Sequence, residues 1–321
     1  MNDIYFYEAF DDESEEIGSL LGSTISCEFT SETVQEAGHL IPPARLISIR
    51  TQSVVPPAWA DQLDGILSRS TGYDHLVSYS KLIKKRLPLG YLEEYASRAV
   101  AEHAILMTMA LMRKLPQQLR QFPTFHREGL TGTECEGKHL LVVGVGRIGK
   151  EIVAIGKGLG FITKGLDIVP DKPEVVYVSK ETGIPWAHVI INAMNLTPEN
   201  RGYFNEALFH AAKPGLFFVN VARGEHSPLA DLRRALDQGL LAGVGLDVFE
   251  DEGTIGSALR NRGATNREIA ASIDELLSYP NVLFTPHNAF NSREALRGKA
   301  ALTVEQIKHF LKHQDFLWKV E

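Results

Sequence analysis

Cysteine is nearly absent. Cys27 and Cys135 are the two in 321 residues, and no other cysteine stands at metal-ligand spacing from either. That excludes a disulfide-framed fold, gives no metal site, and makes a reducing compartment the expectation. Long apolar runs are absent too: the closest approach, Ala104 to Met112, is far short of the ~20 residues that span a bilayer. There is no basic excess, since 33 Lys and Arg face 40 Asp and Glu for a formal charge of -7. A net acidic surface disfavours nucleic acid and anionic membranes as partners. The amino terminus, MNDIYFYEAFDDESEE, is acidic where a secretory leader is basic and then apolar. No internal repeat or low-complexity tract is visible. What remains is a chain with enough apolar residues (44%) to bury a core, expected to be cytoplasmic with neither nucleic acid nor membrane as partner.

The chain changes character near residue 100. Before it, ARLISIR (44–50) and LDGILSRST (63–71) read as strands running into loops, with Pro42, Pro43, Pro56 and Pro57 punctuating the connections. From Glu93 to Lys114 a helical pattern becomes apolar almost all round, which predicts burial between two bodies. Beyond it come HLLVV (139–143), ITKGLDI (162–168), HVIINAM (188–194), GLFFVNVA (215–222), AGVGLDVF (242–249) and VLFTP (282–286). Helical stretches separate them, although 169–187 looks short for a full crossover helix. Strands alternating with helices predict a parallel sheet with right-handed crossovers. The expected organisation is a dinucleotide-binding domain over 101–289, with residues 1–100 and 290–321 forming a smaller substrate domain and the substrate in the cleft between them.

The segment LLVVGVGRIGKEIV supplies the first chemical signal. Gly144, Gly146 and Gly149 follow a strand and open a helix. In that context the first allows a tight turn, the second lets a pyrophosphate approach the backbone, and the third lets helix and strand pack closely. Asp167 ends the next strand at about the spacing expected of a carboxylate that binds ribose hydroxyls and repels a 2'-phosphate. No arginine follows it, so NAD is favoured over NADP, with Lys164 and Lys172 the only nearby cations in sequence. The fold expected is a Rossmann-type, doubly wound parallel α/β sheet.

Hydride transfer to a carbonyl needs a proton donor, and a 2-oxo acid also needs a cation for its carboxylate. Arg223 in VNVARGE, Glu252 in DVFEDEG and His287 in TPHNAF each follow one of three successive strands. Singly, each has an ordinary reading as a loop arginine, a solvated acid or a strand-end histidine. Together they would project from one sheet edge. A carboxylate beside His287 would favour the imidazolium, ready to donate a proton near neutral pH.

These motifs, with RSTGYDHL (69–76), YASRAVAEHA (95–104) and LTPENRGYFNEALF (196–209), resemble the D-isomer-specific 2-hydroxyacid dehydrogenases over nearly the whole chain from Arg69. Within that family the chain looks most like the D-lactate dehydrogenases, because DVFEDEG is followed by a polar stretch and then PHNAF. The resemblance implies a flavodoxin-like second domain, a homodimer, and site roles by position. Arg223 would bind the substrate carboxylate and carbonyl, His287 would carry the proton, and Glu252 would pair with it. Thr71 and Gly72 would offer N–H groups to the carboxylate, and Tyr95 would line the pocket. Gly144, Gly146, Arg147, Ile148, Gly149, Asp167 and Ala222 would contact the cofactor, with Asp247 and His287 near the nicotinamide. His103 would be structural. The pattern departs at Ala193 and Asn195, which alter cofactor-side contacts, and at His226, which stands close to Arg223 where the family has an apolar residue. The polar run from Asp251 to Ile273 is open between a flap and a docking surface.

The activity implied is NAD-dependent interconversion of a small 2-oxo acid and its D-2-hydroxy acid, with pyruvate and D-lactate favoured and domain closure excluding water. Hydroxypyruvate, glyoxylate or an inorganic substrate such as phosphite stay open. So does a different class, a regulatory protein of the same fold that senses NAD(H).

Overall fold

A computed structural model describes residues 2–260 and 264–320, with the side chains of 264–270 outside the description. The chain divides into two compact units, one formed by Met1–Ala96 with Asn291–Glu321, the other by Ser97–Phe290. Each is built on a parallel sheet.

The first unit holds β1 (Ile4–Phe6), β2 (Cys27–Phe29), β3 (Leu46–Ile49), β4 (Gly65–Ser68) and β5 (Leu89–Gly90), in the order β2-β1-β3-β4-β5. All neighbouring pairs are parallel. β3 and β4 lie within the stretches expected from sequence. β1, β2 and β5 are only two or three residues long, too short for any period to register. Helix Asp11–Leu21 packs on the carboxy-terminal helix Arg293–His313 over one apolar layer that includes Ile17, Val304, Ile307 and Phe310.

A buried ion cluster joins those helices to β4. Arg69, just past β4, donates from Nε to Glu13 at 2.7 Å, and Lys299 Nζ lies 2.9 Å from the same carboxylate oxygen. Arg69 also donates to the Tyr7 and Glu8 carbonyls and to Ser48 Oγ. Burial alone would raise the Glu13 carboxyl, but Arg69, Lys299 and Arg50 override it and bring it from 4.5 to about 2. One carboxylate thus serves two fully buried cations. Lys299 bears the surplus, because burial takes its ammonium down to about 7 against the pull of Glu13. A depressed carboxyl contributes stability that is present above its unfolded value and lost as pH falls through the folded one. The Glu13 contribution is therefore complete above pH 4.5 and disappears on the way to about 2. Glu13→Gln leaves two cations buried without their carboxylate and should cost about 3 kcal/mol at neutral pH. Urea denaturation at pH 7 and at pH 3 measures it, with a smaller difference between variant and wild type expected at the lower pH.

The second unit contains β6 (His139–Val143), β7 (Ile162–Leu166), β8 (Val189–Asn192), β9 (Leu216–Asn220), β10 (Leu241–Leu246) and β11 (Val282–Phe284), ordered β11-β10-β9-β8-β6-β7 and parallel throughout. All six fall on the strand stretches read from sequence, β10 starting one residue earlier, at Leu241. The chain runs from β6 to the edge strand β7 and returns to β8 on the other side of β6, which makes the fold doubly wound with its switch point between β6 and β8. The β7-to-β8 crossover contains a single short turn of helix, Lys180–Gly183, in keeping with the shortness of 169–187.

The long helix spans Ser97–Met112 and packs against helix Arg147–Gly158 and strands β9 and β10. Its composition predicts burial between two bodies, but Leu106 is 59% exposed and Met109 38%. The polar run from Asp251 is largely helical, as Glu252–Arg260 and Ala264–Leu277, with 261–263 outside the described residues. Ile255, Ala258 and Ile273 are buried, so this stretch is part of the packed unit. No helix among the described residues is long and apolar enough to cross a membrane.

Candidate active site

A parallel sheet sends every strand's carboxyl end to one edge, and in the second unit that edge gathers the chemistry. At the end of β6, Gly144 has φ +87, and a Cβ there would stand 2.5 Å from the Met194 nitrogen after β8. The two loops at the switch point touch through bare backbone. A Cβ on Gly149 would meet the Gly144 carbonyl oxygen at 2.0 Å, so the helix can approach the strand only as glycine. A Cβ on Gly146 would meet nothing within 4 Å. The loop is thus closed on its protein side and open where a phosphate would lie, in front of the first turn of helix Arg147–Gly158 and its N–H groups. Ile148 lies in that first turn.

Asp167, just past β7, accepts from Val145 N at 2.5 Å and from Val169 N at 2.9 Å. Its carboxylate braces the glycine loop while lying only half-buried. Beside it Ile168 is 96% exposed and Val169 59%, an apolar ledge next to a carboxylate. The two lysines close in sequence are engaged elsewhere: Lys164 Nζ sits over the Trp186 ring at 4.3 Å, and Lys172 pairs with Asp171 at 2.8 Å. The donor set fits a dinucleotide without a 2'-phosphate. Asp167→Asn keeps an oxygen for Val145 N and removes the charge. It should improve NADPH relative to NADH by about 10- to 100-fold in kcat/KM, on the order of 1–3 kcal/mol of lost repulsion and ribose bonding. Paired steady-state assays with the two cofactors read that ratio, and an unchanged preference would remove Asp167 from cofactor selection.

Strands β9, β10 and β11 are neighbours, and each ends at one of the three remaining candidates. Arg223 follows β9 in extended backbone, half-buried, with Nη1 donating to the Ala222 carbonyl at 2.8 Å. Ala222 itself is buried. Gly224 is wedged against the end of the next strand segment, where a Cβ would lie 1.9 Å from the Phe249 carbonyl carbon. Glu252 opens the helix that follows β10, and His287 lies beyond β11. Their side chains meet: His287 Nδ1 is 2.7 Å from Glu252 Oε1. With Nδ1–H donated to a carboxylate, Nε2 is left as the ring nitrogen that can face a ligand.

His287 has φ +50, a left-handed backbone that non-glycine residues adopt only where surroundings hold them. Asp247 supplies the hold. Its carboxylate, 1% exposed as part of the residue, accepts from Thr285 Oγ1 at 2.5 Å, Asn288 N at 2.8 Å and Ala289 N at 3.0 Å, and its carbonyl accepts His287 N at 2.8 Å. His103 completes the brace, with Nε2 3.1 Å from Thr285 Oγ1 and 3.7 Å from Asp247 Oδ1. The family resemblance implies only that Asp247 stands near the cofactor and that His103 is structural. The part played by Thr285 was not visible, because its partners lie 38 and 182 residues away in sequence.

Thr71, Gly72 and Tyr95 belong to the first unit. Thr71 is exposed and Gly72 half-buried in the loop after β4. That loop is stiffened by a hydroxyl chain, with Ser70 Oγ donating to the Gly72 carbonyl at 2.8 Å, Ser68 and Ser70 2.6 Å apart, and His75 Nε2 2.9 Å from Ser68. Tyr95 Oη donates to the Arg69 carbonyl at 3.4 Å. At the altered positions after β8, Asn195 gives its carbonyl to Asn200 Nδ2 at 2.7 Å, which closes the turn that Ala193 enters.

The sequence over residues 105–289 matches the family model described as D-isomer specific 2-hydroxyacid dehydrogenase, NAD binding domain. A D-lactate dehydrogenase of Escherichia coli (strain K12) is 33% identical over 224 residues, 68% of this chain and 67% of that protein. A D-3-phosphoglycerate dehydrogenase of Bacillus subtilis (strain 168) is 30% identical over 221 residues, 67% of this chain and 39% of that longer protein. Among solved structures, the D-lactate dehydrogenase from Aquifex aeolicus complexed with NAD and lactic acid superposes with a TM-score of 0.83 at 26% identity, covering 98% of both chains. The fold, two parallel α/β sheets with a glycine loop at the switch point of the second, is that of dinucleotide-binding proteins, and the family match makes the chain an oxidoreductase: it belongs to the D-isomer specific 2-hydroxyacid dehydrogenase family. It is an NAD-dependent enzyme similar to D-lactate dehydrogenases.

Proposed function

We propose that this enzyme interconverts pyruvate and D-lactate, in preference to larger or more polar 2-oxo acids. The observation that carries the 2-hydroxyacid chemistry is the Glu252–His287 pair at 2.7 Å, which stands one and two strands across from Arg223 at the same sheet edge. The 1–96 and 291–321 unit takes the substrate role and the Ser97–Phe290 unit the cofactor role. NAD, when bound, supplies or accepts the hydride at the substrate's second carbon. The Arg223 guanidinium binds the carboxylate and polarises the carbonyl, a task for its planar fork of donors. His287 Nε2 gives a proton to the carbonyl oxygen in reduction and takes it back in oxidation, while Glu252 orients the ring and stabilises the imidazolium. Thr71 and Gly72 contribute carboxylate contacts and Tyr95 a pocket wall. The D-lactate dehydrogenases among the relatives support a small substrate.

The test is a comparison of kcat/KM with NADH across pyruvate, 4-methyl-2-oxopentanoate, phenylpyruvate, hydroxypyruvate, glyoxylate and oxaloacetate. Pyruvate should lead. A tenfold advantage for a branched, aromatic or hydroxylated member would reassign the substrate and leave the family standing.

The active form is proposed to be a homodimer. Leu106, Met109, Leu115, Leu119, Phe122 and Phe125 are each exposed within one stretch of the second unit, and an association site that covers them is the reading this supports. Equilibrium sedimentation of the full chain should return twice the 35.6 kDa chain mass; a monomer at micromolar concentration would contradict it.

A further inference from the structure

Behind Arg223 lies a buried polar network that the sequence pattern gave no reason to expect. β8 and β9 are apolar until their last residues, Asn192 and Asn220, which are in register and both fully buried. Asn220 uses its whole amide. Nδ2 donates to the Arg223 carbonyl and to Ser227 Oγ, each at 2.9 Å, and Oδ1 accepts from Ala222 N and from Asn192 Nδ2, each at 3.0 Å. Asn192 Oδ1 accepts from Met194 N at 3.1 Å, which fixes which end of that amide is the NH2. Its remaining donor points to His226 Nδ1 at 2.9 Å, so Nδ1 is the acceptor of that bond. The His226 side chain is wholly buried, and its backbone is pinned by Phe204 N on its carbonyl at 2.8 Å. The residues on both sides of the Arg223 α-carbon are therefore held: Ala222 through its N–H, and the Arg223 carbonyl itself, by one asparagine that a second asparagine and a histidine keep in place.

We propose that His226 is a positioning residue for Arg223, acting through Asn192 and Asn220 to set where the guanidinium meets the substrate carboxylate. The inference rests on the reading of Arg223 as the carboxylate-binding residue. Buried polar groups cost stability unless satisfied, and an apolar pair of similar volume would fill the same space without that demand. The network confers geometric definition instead: with its acceptor gone, the Asn192 amide is held by Met194 N and Asn220 Oδ1 alone and is left with an unsatisfied buried N–H, so the donor it presents to Asn220 is less firmly fixed and the loop bearing Arg223 gains freedom. Misplacement of a binding group by an ångström costs up to about 100-fold.

The experiment is steady-state kinetics with NADH and pyruvate, NADH binding and thermal melting on His226→Leu, His226→Asn and the double variant Asn192→Leu with His226→Leu. His226→Leu should raise the KM for pyruvate by about 10- to 100-fold, more than it lowers kcat, with NADH affinity unchanged. Asn Oδ1 occupies nearly the place of His Nδ1, so His226→Asn should hold KM within about threefold of wild type, a residual loss within the strength of one neutral hydrogen bond. The double variant removes donor and acceptor together. Because Asn192→Leu also takes the acceptor from Met194 N and the donor from Asn220 Oδ1, the double variant should recover only part of the melting temperature lost by His226→Leu, and it should keep the raised KM. A native KM in the double variant, or in a folded His226→Leu, overturns the proposal and leaves the network a packing element. Arg223→Gln separates the two readings. If it has full activity, the role of Arg223 is wrong. If it is crippled while His226→Leu is not, the positioning role alone fails. In the Arg223→Gln background His226→Leu should have no further effect on kcat/KM.

Discussion

His287→Ala is expected to lower kcat for NADH-dependent pyruvate reduction by about 10²- to 10⁴-fold, the usual contribution of one positioned general acid, and to leave NADH affinity within about twofold. The Ala substitution also has a backbone cost, because His287 sits at φ +50 and Ala resists left-handed backbone. His287→Asn removes that ambiguity, since Asn tolerates the conformation and cannot shuttle the proton. Both variants should lose the same factor in rate. The chemistry depends on Nε2 because Nδ1 is committed to Glu252 at 2.7 Å. Glu252→Gln, which keeps a hydrogen-bond partner and removes the charge, should therefore impair turnover less than either histidine variant. A His287→Asn enzyme with wild-type turnover would end the acid–base assignment.

Arg223→Gln should reduce kcat/KM for pyruvate by about 10³-fold, equivalent to losing a charge-assisted pair worth ~4 kcal/mol, again with NADH binding preserved. Arg223→Lys restores the charge without the fork and should recover only part of the loss, remaining about 10- to 100-fold below wild type. The distinction matters because the Arg223 loop is tightly specified. Gly224 has no room for a Cβ against Phe249, and Asn220 holds the Arg223 carbonyl, so a lysine cannot shift its backbone to compensate. If Arg223→Gln lost only a few-fold, the carboxylate would have to be bound elsewhere.

How much of this was legible in sequence depended on whether the determining contacts were local. Most strands of the second unit were readable because they are near-continuous apolar runs, as expected of strands covered on both faces; the edge strand β7, ITKGL, instead alternates buried and partly exposed residues. The candidates Arg223, Glu252 and His287 were readable because each directly follows such a run. The pairing of Glu252 with His287 could be anticipated because parallel neighbours place successive strand ends side by side. By contrast, β1 and β2 are three residues each and β5 two, below the length at which a pattern exists. The apolar second half of the helix starting at Ser97 predicts burial between two bodies, yet Leu106 and Met109 are exposed; apolar content does not say which face is covered. Asn192 and Asn220 looked like the ordinary polar ends of apolar strands. Their meaning lies in partners 28 and 34 residues away. The brace on His287, Asp247 with Thr285 and His103, is likewise a tertiary fact.

The account stands most directly on the stereochemistry of the product. Pyruvate should be reduced with NADH by the purified enzyme and the lactate resolved on a chiral column. The account predicts rapid turnover and D-lactate alone. L-lactate, a racemate, or no turnover of any 2-oxo acid while NADH binds tightly would contradict it.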